Sequence, residues 1–147
     1  MIILDADVLS ELMRPQPSPV VRAWIGRQVP DELCTTAVTV AEVRYGLERL
    51  PGGRRKSSLV AAATEVFTAL GEYIYPFDTN AAIAYAQIVA RRDDLGLPIA
   101  GFDAQIAAIC QTRGAALATR NGKDFEETGV DVVDPWQDTA QESCIPH

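Results

Sequence analysis

The chain has 147 residues, of which 48% are hydrophobic and 22% are charged, and its formal net charge is -7. This length predicts one domain, and this composition excludes a disordered or collagen-like chain. The apolar runs are far shorter than the roughly 20 residues of a membrane span, and no basic segment typical of a signal peptide precedes Ile2. The cysteines are odd in number and form no C-x-x-C pair, so we expect reduced thiols at Cys34, Cys110 and Cys144. These features predict a cytoplasmic protein that does not contact a membrane.

The negative charge is concentrated at the C-terminal end of the sequence. From Asp124 onward there are seven acidic residues and no Lys or Arg, which leaves residues 1–123 with thirteen residues of each sign. A phosphate-bearing ligand is therefore compatible with this larger part of the chain. A basic cluster at Arg49, Arg54, Arg55 and Lys56 is more typical of a solvated loop than of an RNA-binding patch.

Strand and helix signals alternate along the first part of the chain. A short apolar strand is predicted over 2–4, and a serine followed by proline predicts a helix over 18–28. A second strand is predicted over 33–38. A capping-box pattern, with Glu42 as its fourth residue, then predicts a helix over 39–50.

The second part of the chain continues this alternation. A Gly-Gly pair separates the preceding helix from the following elements: a helix from Ser57 or Ser58 to Leu70, a strand over 73–77, a helix over 81–94 capped by Asp78, a helix over 104–112, and strands over 115–119 and 130–133. This order predicts an α/β/α sandwich with a mainly parallel central sheet of about five strands. Residues 1–136 form the predicted domain, and residues 137–147 a loose tail.

Acidic and polar side chains follow several of the predicted strands or lie at the start of the neighbouring helices, as Asp103 does before the fourth strand. They are Asp5, Asp7, Glu42, Asp103, Thr119, Asn121 and Asp124. Ligands of open α/β sheets bind at the carboxyl ends of the strands, so we expect these side chains to meet there. Two carboxylates about 4 Å apart repel by roughly 4 kcal/mol at an effective dielectric near 20, so such a group requires protonation or a bridging cation. Oxygen donors favour Mg²⁺ or Mn²⁺, and His147, at the C-terminus, is a poor candidate for a general base.

Each acidic residue also has a purely structural interpretation. Asp5, Asp7 and Asp103 are candidate N-caps of the helices that follow them. Glu42, as the fourth residue of a capping box, would bond back to the amide of Thr39. The residues alone leave both interpretations open.

Five segments together resemble the PIN-domain ribonucleases, and most of all the VapC/FitB toxins of bacterial toxin–antitoxin pairs. In chain order they are MIILDADVLSEL, TTAVTVAEVRYGLERLPGGRR, PFDTNAAIAYAQIVA, DAQIAAI and ALATRNGKDFEETGVDVVDPW. They extend from Met1 to about Trp136. The resemblance implies a PIN-like fold and places the acidic residues of the family at Asp5, Glu42 and Asp103.

Two positions depart from the pattern of the family. The family usually begins D-T-N, whereas Asp7 is the third residue here, and its T-x-D segment ends in Asn121 here. The carbonyl oxygen of Asn121 can still bind a metal or position water, but it carries no formal charge. We hypothesise that Asp7 supplies the missing charge, with Asp124 as the other candidate, and that Thr119 has an auxiliary role.

The resemblance implies a toxin that hydrolyses phosphodiester bonds in RNA with one or two Mg²⁺ or Mn²⁺ ions. Asp5, Glu42, Asp103 and Asn121 would be the catalytic residues, with Asp7 as a further metal ligand. It also implies a small DNA-binding antitoxin, a homodimer and larger toxin–antitoxin complexes that reach operator DNA only through the antitoxin.

Two other functions fit part of this pattern. A catalytically weak PIN module that acts mainly as an antitoxin-binding co-repressor is compatible with the amide of Asn121. A haloacid-dehalogenase-type phosphatase shares the apolar strand followed by D-x-D, with Asp5 as nucleophile. That family requires Thr or Val where Leu9 stands, and the acidic pair Asp93-Asp94 lies in a predicted helix instead of after a strand.

Overall fold

The core of the protein is a five-stranded sheet in which all strand pairs are parallel. The computed structural model describes residues 1–137, so the predicted tail, apart from Gln137, and Cys144 lie outside the described residues. The strands are β1 (Ile2–Leu4), β2 (Leu33–Thr36), β3 (Ile74–Tyr75), β4 (Ala116–Ala118) and β5 (Val132–Val133), in the spatial order β3-β2-β1-β4-β5. The predicted parallel sheet is confirmed.

Helices cover both faces of this sheet. They are α1 (Ala6–Leu12), α2 (Pro19–Arg27), α3 (Ala37–Glu48), α4 (Arg54–Leu70), α5 (Thr79–Asp94) and α6 (Gly101–Arg113), with 3-10 turns at Pro30–Glu32, Gly71–Tyr73, Gly122–Phe125 and Pro135–Gln137. Within residues 1–137, none of the helices combines the length and apolar character of a membrane span. The predicted α/β/α sandwich is therefore confirmed.

The apolar core is divided between the two faces because successive strand residues point in opposite directions. Ile3 packs with the cluster that contains Ile106 of α6 and Ile88 of α5. Leu4, one residue later, packs with the cluster that contains Val8 of α1 and residues of α2, α3 and α4. Two buried and free thiols, Cys34 and Cys110, lie in the first cluster, as expected for reduced cysteines.

Several helix starts differ from the sequence prediction. The second strand ends at Thr36 instead of Val38, and α3 begins at Ala37 with Thr36 as its N-cap. Helix α4 begins at Arg54 instead of Ser57 or Ser58, directly after Gly53, whose φ of 147° suits glycine. Helix α6 begins at Gly101, three residues before the predicted start.

Strand β1 lies between β2 and β4, which are reached in opposite directions across the sheet. The chain order therefore reverses beside β1, and such a point opens a crevice at the carboxyl ends of the strands. The Asp5 amide continues the pairing by donating to the Ala118 carbonyl at 3.0 Å. The residues that follow β1, β2 and β4 consequently lie at the same edge.

Candidate active site

Asp5 is fixed in place immediately after β1. One carboxylate oxygen accepts from the Ala6 amide at 2.8 Å, and the other accepts from the Thr119 hydroxyl at 2.8 Å. Only 7% of the residue is exposed. Burial, followed by the negative charge of Asp7, raises the pKa of Asp5 to about 6. Asp5 is therefore the N-cap of α1, and it also shares its site with other carboxylates.

Asp7 lies in the first turn of α1 and faces the segment after β4. Its Oδ2 accepts from the Arg120 amide at 2.9 Å and lies 3.3 Å from the Thr119 hydroxyl and 3.4 Å from the Asn121 side-chain amide. Its Oδ1 is buried and has no hydrogen-bond partner. Burial raises the pKa of this carboxyl. The structure thus places Asp7 and Asn121 in contact, as the charge-compensation hypothesis requires.

Glu42 projects from the second turn of α3, and its interpretation as a capping residue is wrong. The Thr39 amide, to which a capping-box Glu42 would bond, donates instead to the Thr36 hydroxyl at 2.9 Å. The Oε1 atom of Glu42 is buried without a hydrogen-bond partner. Burial, followed by the charges of Asp5, Asp103 and Asp7, raises the pKa of Glu42 to about 7. A partly buried glutamate that serves no cap requires another explanation.

Asp103 lies in the first turn of α6 and is not the N-cap of that helix, which is Ala100. Burial, followed by the charges of Asp124 and Asp7, raises the pKa of Asp103, and the charge of Arg92 lowers it. Asp124 lies in the 3-10 turn after β4 and is exposed. Asp103 is thus within electrostatic reach of the other acids.

Thr119 and Asn121 complete the edge after β4. Thr119 is fully buried, and its hydroxyl also accepts from the Asn121 backbone amide at 3.1 Å. Asn121 is exposed, and its side-chain amide is the group that faces Asp7. The auxiliary role predicted for Thr119 is consistent with this geometry, because its hydroxyl contacts the carboxylates of both Asp5 and Asp7.

The negative charges of Asp5, Asp7 and Asp103 each raise the pKa of other carboxyls in this set, so Asp5, Asp7, Glu42 and Asp103 share one electrostatic environment. Within residues 1–137, no three acidic, His or Cys side chains already form a closed ligand set. Two carboxylate oxygens nevertheless remain buried without partners, and the donors are all oxygen atoms. An oxygen-only, negatively charged set fits a hard divalent cation better than any soft metal.

The raised pKa of Glu42 makes a testable prediction about stability. Protonated Glu42 favours the fold, so this contribution is fully present below the ordinary value of 4.5 and is lost as pH rises through about 7. A Glu42→Gln variant has no such titration. In excess EDTA we expect the two proteins to have similar free energies of unfolding near pH 4.5 and the variant to be the more stable one above pH 7. Urea unfolding across this range measures the difference, and a difference that does not change with pH would contradict it.

A groove of about 1380 Å³ adjoins these carboxylates. Asp7 and Glu42 line it together with apolar side chains and with four arginines, Arg14, Arg54, Arg55 and Arg120. The prediction that the basic cluster forms a solvated loop is therefore wrong in part. Helix α4 starts at Arg54, and two residues of the cluster, Arg54 and Arg55, line the groove. Arg120 stacks on Trp136 at 3.8 Å from the ring centroid, an interaction that sequence analysis did not anticipate.

Comparison with known proteins gives consistent matches over most of the chain. Residues 2–131 match the family model of the PIN domain. VapC ribonuclease Y4jK of Sinorhizobium fredii is 38% identical over 93% of this chain and 99% of that protein. Toxin FitB of Neisseria gonorrhoeae is 36% identical over 94% of this chain and 100% of that protein. The solved structure of FitAB bound to an IR36 DNA fragment has a TM-score of 0.87 and 34% identity, and covers 100% of this chain and 99% of that one.

These matches agree in fold and in extent with the parallel sheet described above. They exclude the phosphatase alternative. The likeness to that family is limited to the first strand and the D-x-D segment that follows it. The chain belongs to the PIN-domain family, among the VapC and FitB proteins.

Proposed function

We propose that this protein is a metal-dependent endoribonuclease and the toxin of a toxin–antitoxin pair. One observation carries the proposal: the carboxylates of Asp5, Glu42 and Asp103 lie within electrostatic reach of one another, and two buried oxygens of the set, in Asp7 and Glu42, have no partner in residues 1–137. Native proteins leave few buried polar atoms unpaired, so such atoms indicate a ligand. The names of the relatives, a VapC ribonuclease and a toxin, support the same activity.

Asp5, Glu42 and Asp103 are the residues that would hold Mg²⁺ or Mn²⁺, with Asp7 as a further ligand. PIN nucleases use divalent metal ions, and oxygen donors suit these two ions. When bound, the ion lowers the pKa of water and offsets the negative charge of the phosphate. The protein itself keeps Asp5 in place through the Thr119 hydroxyl at 2.8 Å.

RNA is the proposed substrate, and the groove is the surface that would bind it. The guanidinium groups of Arg54, Arg55 and Arg120 line the groove beside the carboxylates and suit phosphate oxygens. Asn121 donates its side-chain amide towards Asp7, so its carbonyl oxygen is the atom left to orient water. Asp124 and Thr119 would assist from the same edge.

An antitoxin is the proposed protein partner. Carboxylates without a cation readily accept a guanidinium group, so a basic side chain of the antitoxin would bind among Asp5, Glu42 and Asp103. The rest of an antitoxin segment would lie in the groove, whose walls include Val43, Leu47 and other apolar residues. The likeness to FitAB on DNA supports a complex that reaches operator DNA through the antitoxin.

A homodimer is proposed as well, together with a single PIN domain over residues 1–136. Several large apolar side chains of α5, α6 and the loop between them are exposed, which are Ile83, Leu95, Leu97 and Phe102. Exposed apolar side chains on a small protein are typical of contact surfaces. None of these four residues lines the groove, so a dimer formed through them would leave the groove open.

Cleavage of purified tRNA and ribosomal RNA, with DNA as the control substrate, tests the proposed activity. We expect RNA cleavage with Mg²⁺ or Mn²⁺, none in EDTA, and 5′-phosphate ends on the products. Asp103→Asn protein purified in parallel controls for contaminating ribonuclease. Wild-type cleavage no higher than that of the variant would contradict the proposal and favour the co-repressor function, which the amide at Asn121 keeps open.

A further inference from the structure

Arg92, in the last turn of α5, is a buried cation that the proposed mechanism does not use. Only 5% of the residue is exposed. Its Nε donates to the Leu97 carbonyl at 2.7 Å and its Nη2 to the Pro98 carbonyl at 3.4 Å. Its Nη1 donates to the Asp124 carbonyl at 3.3 Å and to the Glu126 carbonyl. One side chain therefore binds the backbone of two separate segments.

Both segments lead directly to the acidic site. Residues 95–100 join α5 to α6, which carries Asp103 in its first turn. Residues 122–126 follow β4 and contain Asp124, whose charge raises the pKa of Asp103. The Arg92 guanidinium connects the two segments, and the backbone carbonyl of Arg92 accepts from the Leu97 amide at 2.8 Å.

The guanidinium group is suited to this position because its donors form a rigid planar fork. A buried charge is tolerated only where its donors are paired, so the carbonyls and the arginine hold each other in place. A lysine has one nitrogen atom and cannot contact both segments with this geometry. Backbone carbonyls provide the pairing, so no acidic partner is needed.

We propose that Arg92 is a positioning residue, which fixes the spacing between segments 95–100 and 122–126 and thereby sets the position of Asp103 against Asp124. This inference rests on the proposed nuclease function for its consequence. We expect a large effect on the cleavage rate, because a displacement of about 1 Å in a catalytic group can reduce a rate about a hundredfold.

Arg91 is a matched control on the same helix. Its guanidinium lies 2.7 Å from the Glu127 carboxylate, and both side chains are largely exposed. Exposed ion pairs of this kind contribute little to stability. An Arg91→Lys variant therefore keeps the charge of α5 and removes a contact to the same region without disturbing the buried one.

Hydrogen exchange of the Arg92→Lys and Arg91→Lys proteins, together with their RNA cleavage kinetics, tests the proposal. For Arg92→Lys we expect amide exchange at least about tenfold faster in 95–100 and 122–126, with the exchange of β1 and β4 unchanged. We expect kcat at least about tenfold lower with KM within about twofold. Arg91→Lys should match wild type in both measurements.

Exchange that stays at the wild-type rate in both segments, or that rises equally over the whole sheet, would overturn the positioning role. If exchange in the two segments is faster in Arg92→Lys but the wild-type protein does not cleave RNA, the proposed function is overturned and the positioning role of Arg92 is not. If Arg92→Lys fails to fold, the wild type supplies the test. The Leu97 and Asp124 amides, both hydrogen-bonded, should then exchange as slowly as the hydrogen-bonded Ala104 amide of α6, and free-loop rates would contradict the inference.

Discussion

An Asp5→Asn variant should cleave RNA at least about a hundredfold more slowly than wild type, the scale on which loss of one charge-stabilising group is felt. The same variant should have a higher Tm than wild type in EDTA. Asparagine caps helices about as well as aspartate, so the bond from the Ala6 amide is kept. The Thr119 hydroxyl can accept from the new amide where it donated to the carboxylate. The substitution therefore removes one negative charge and little else.

Asp78 provides the control for this substitution. It caps α5 by accepting from the Ala81 amide at 2.9 Å, which confirms its prediction as a structural cap. An Asp78→Asn variant should keep both the cleavage rate and the metal-free Tm of wild type. Equal cleavage by the Asp5→Asn protein and wild type would reduce Asp5 to the same structural role.

Single substitutions at positions 7 and 121 should differ in their effect on the Mg²⁺ requirement. Asp7→Asn removes the carboxylate whose Oδ1 is buried without a partner, so we expect the Mg²⁺ concentration for half-maximal cleavage to rise about tenfold or more. The side-chain nitrogen of Asn121 lies 3.4 Å from Oδ2 of Asp7, so Asn121→Asp places a second carboxylate beside Asp7. Its Mg²⁺ requirement should stay equal or fall, and its metal-free Tm should fall because the two charges repel.

The double variant, Asp7→Asn with Asn121→Asp, tests compensation directly. It restores the wild-type charge with the acid and the amide interchanged, so its Mg²⁺ titration should return towards that of wild type. A double variant no better than Asp7→Asn alone would show that the position of the charge matters and its number does not. An unchanged titration for Asp7→Asn would remove Asp7 from the metal site and leave the other three acids in place.

The parallel sheet could be predicted from the sequence because apolar strand segments alternate with helix signals, whereas the acidic site at its edge stays a prediction. The strand β1 is apolar and ends in Asp5, and parallel strands present their carboxyl ends at one edge. The start of α3 was harder to predict, because Thr36 and Thr39 are both suitable N-cap residues. The structure shows that Thr36 is the cap and that the two hydroxyls bond to each other at 2.8 Å.

The contacts of Arg92 and the groove could not be predicted because they depend on tertiary structure. The acceptors of Arg92 are backbone carbonyls, which every residue has, so no pattern of residue types marks them. Arg120 is likewise placed by its stacking on Trp136, a residue that lies in another 3-10 turn. Asp103 was expected as a cap or a ligand, and only the start of α6 at Gly101 excludes the cap.

The central place of β1 has a consequence for the synthesis of this protein. Asp5 is made first, yet the Thr119 hydroxyl that braces it comes 114 residues later, on the neighbouring strand. A growing polypeptide on the ribosome therefore cannot assemble the acidic edge until β4 has emerged and paired with β1. A fragment that ends upstream of that strand therefore lacks the hydroxyl that holds Asp5 and cannot form the acidic edge.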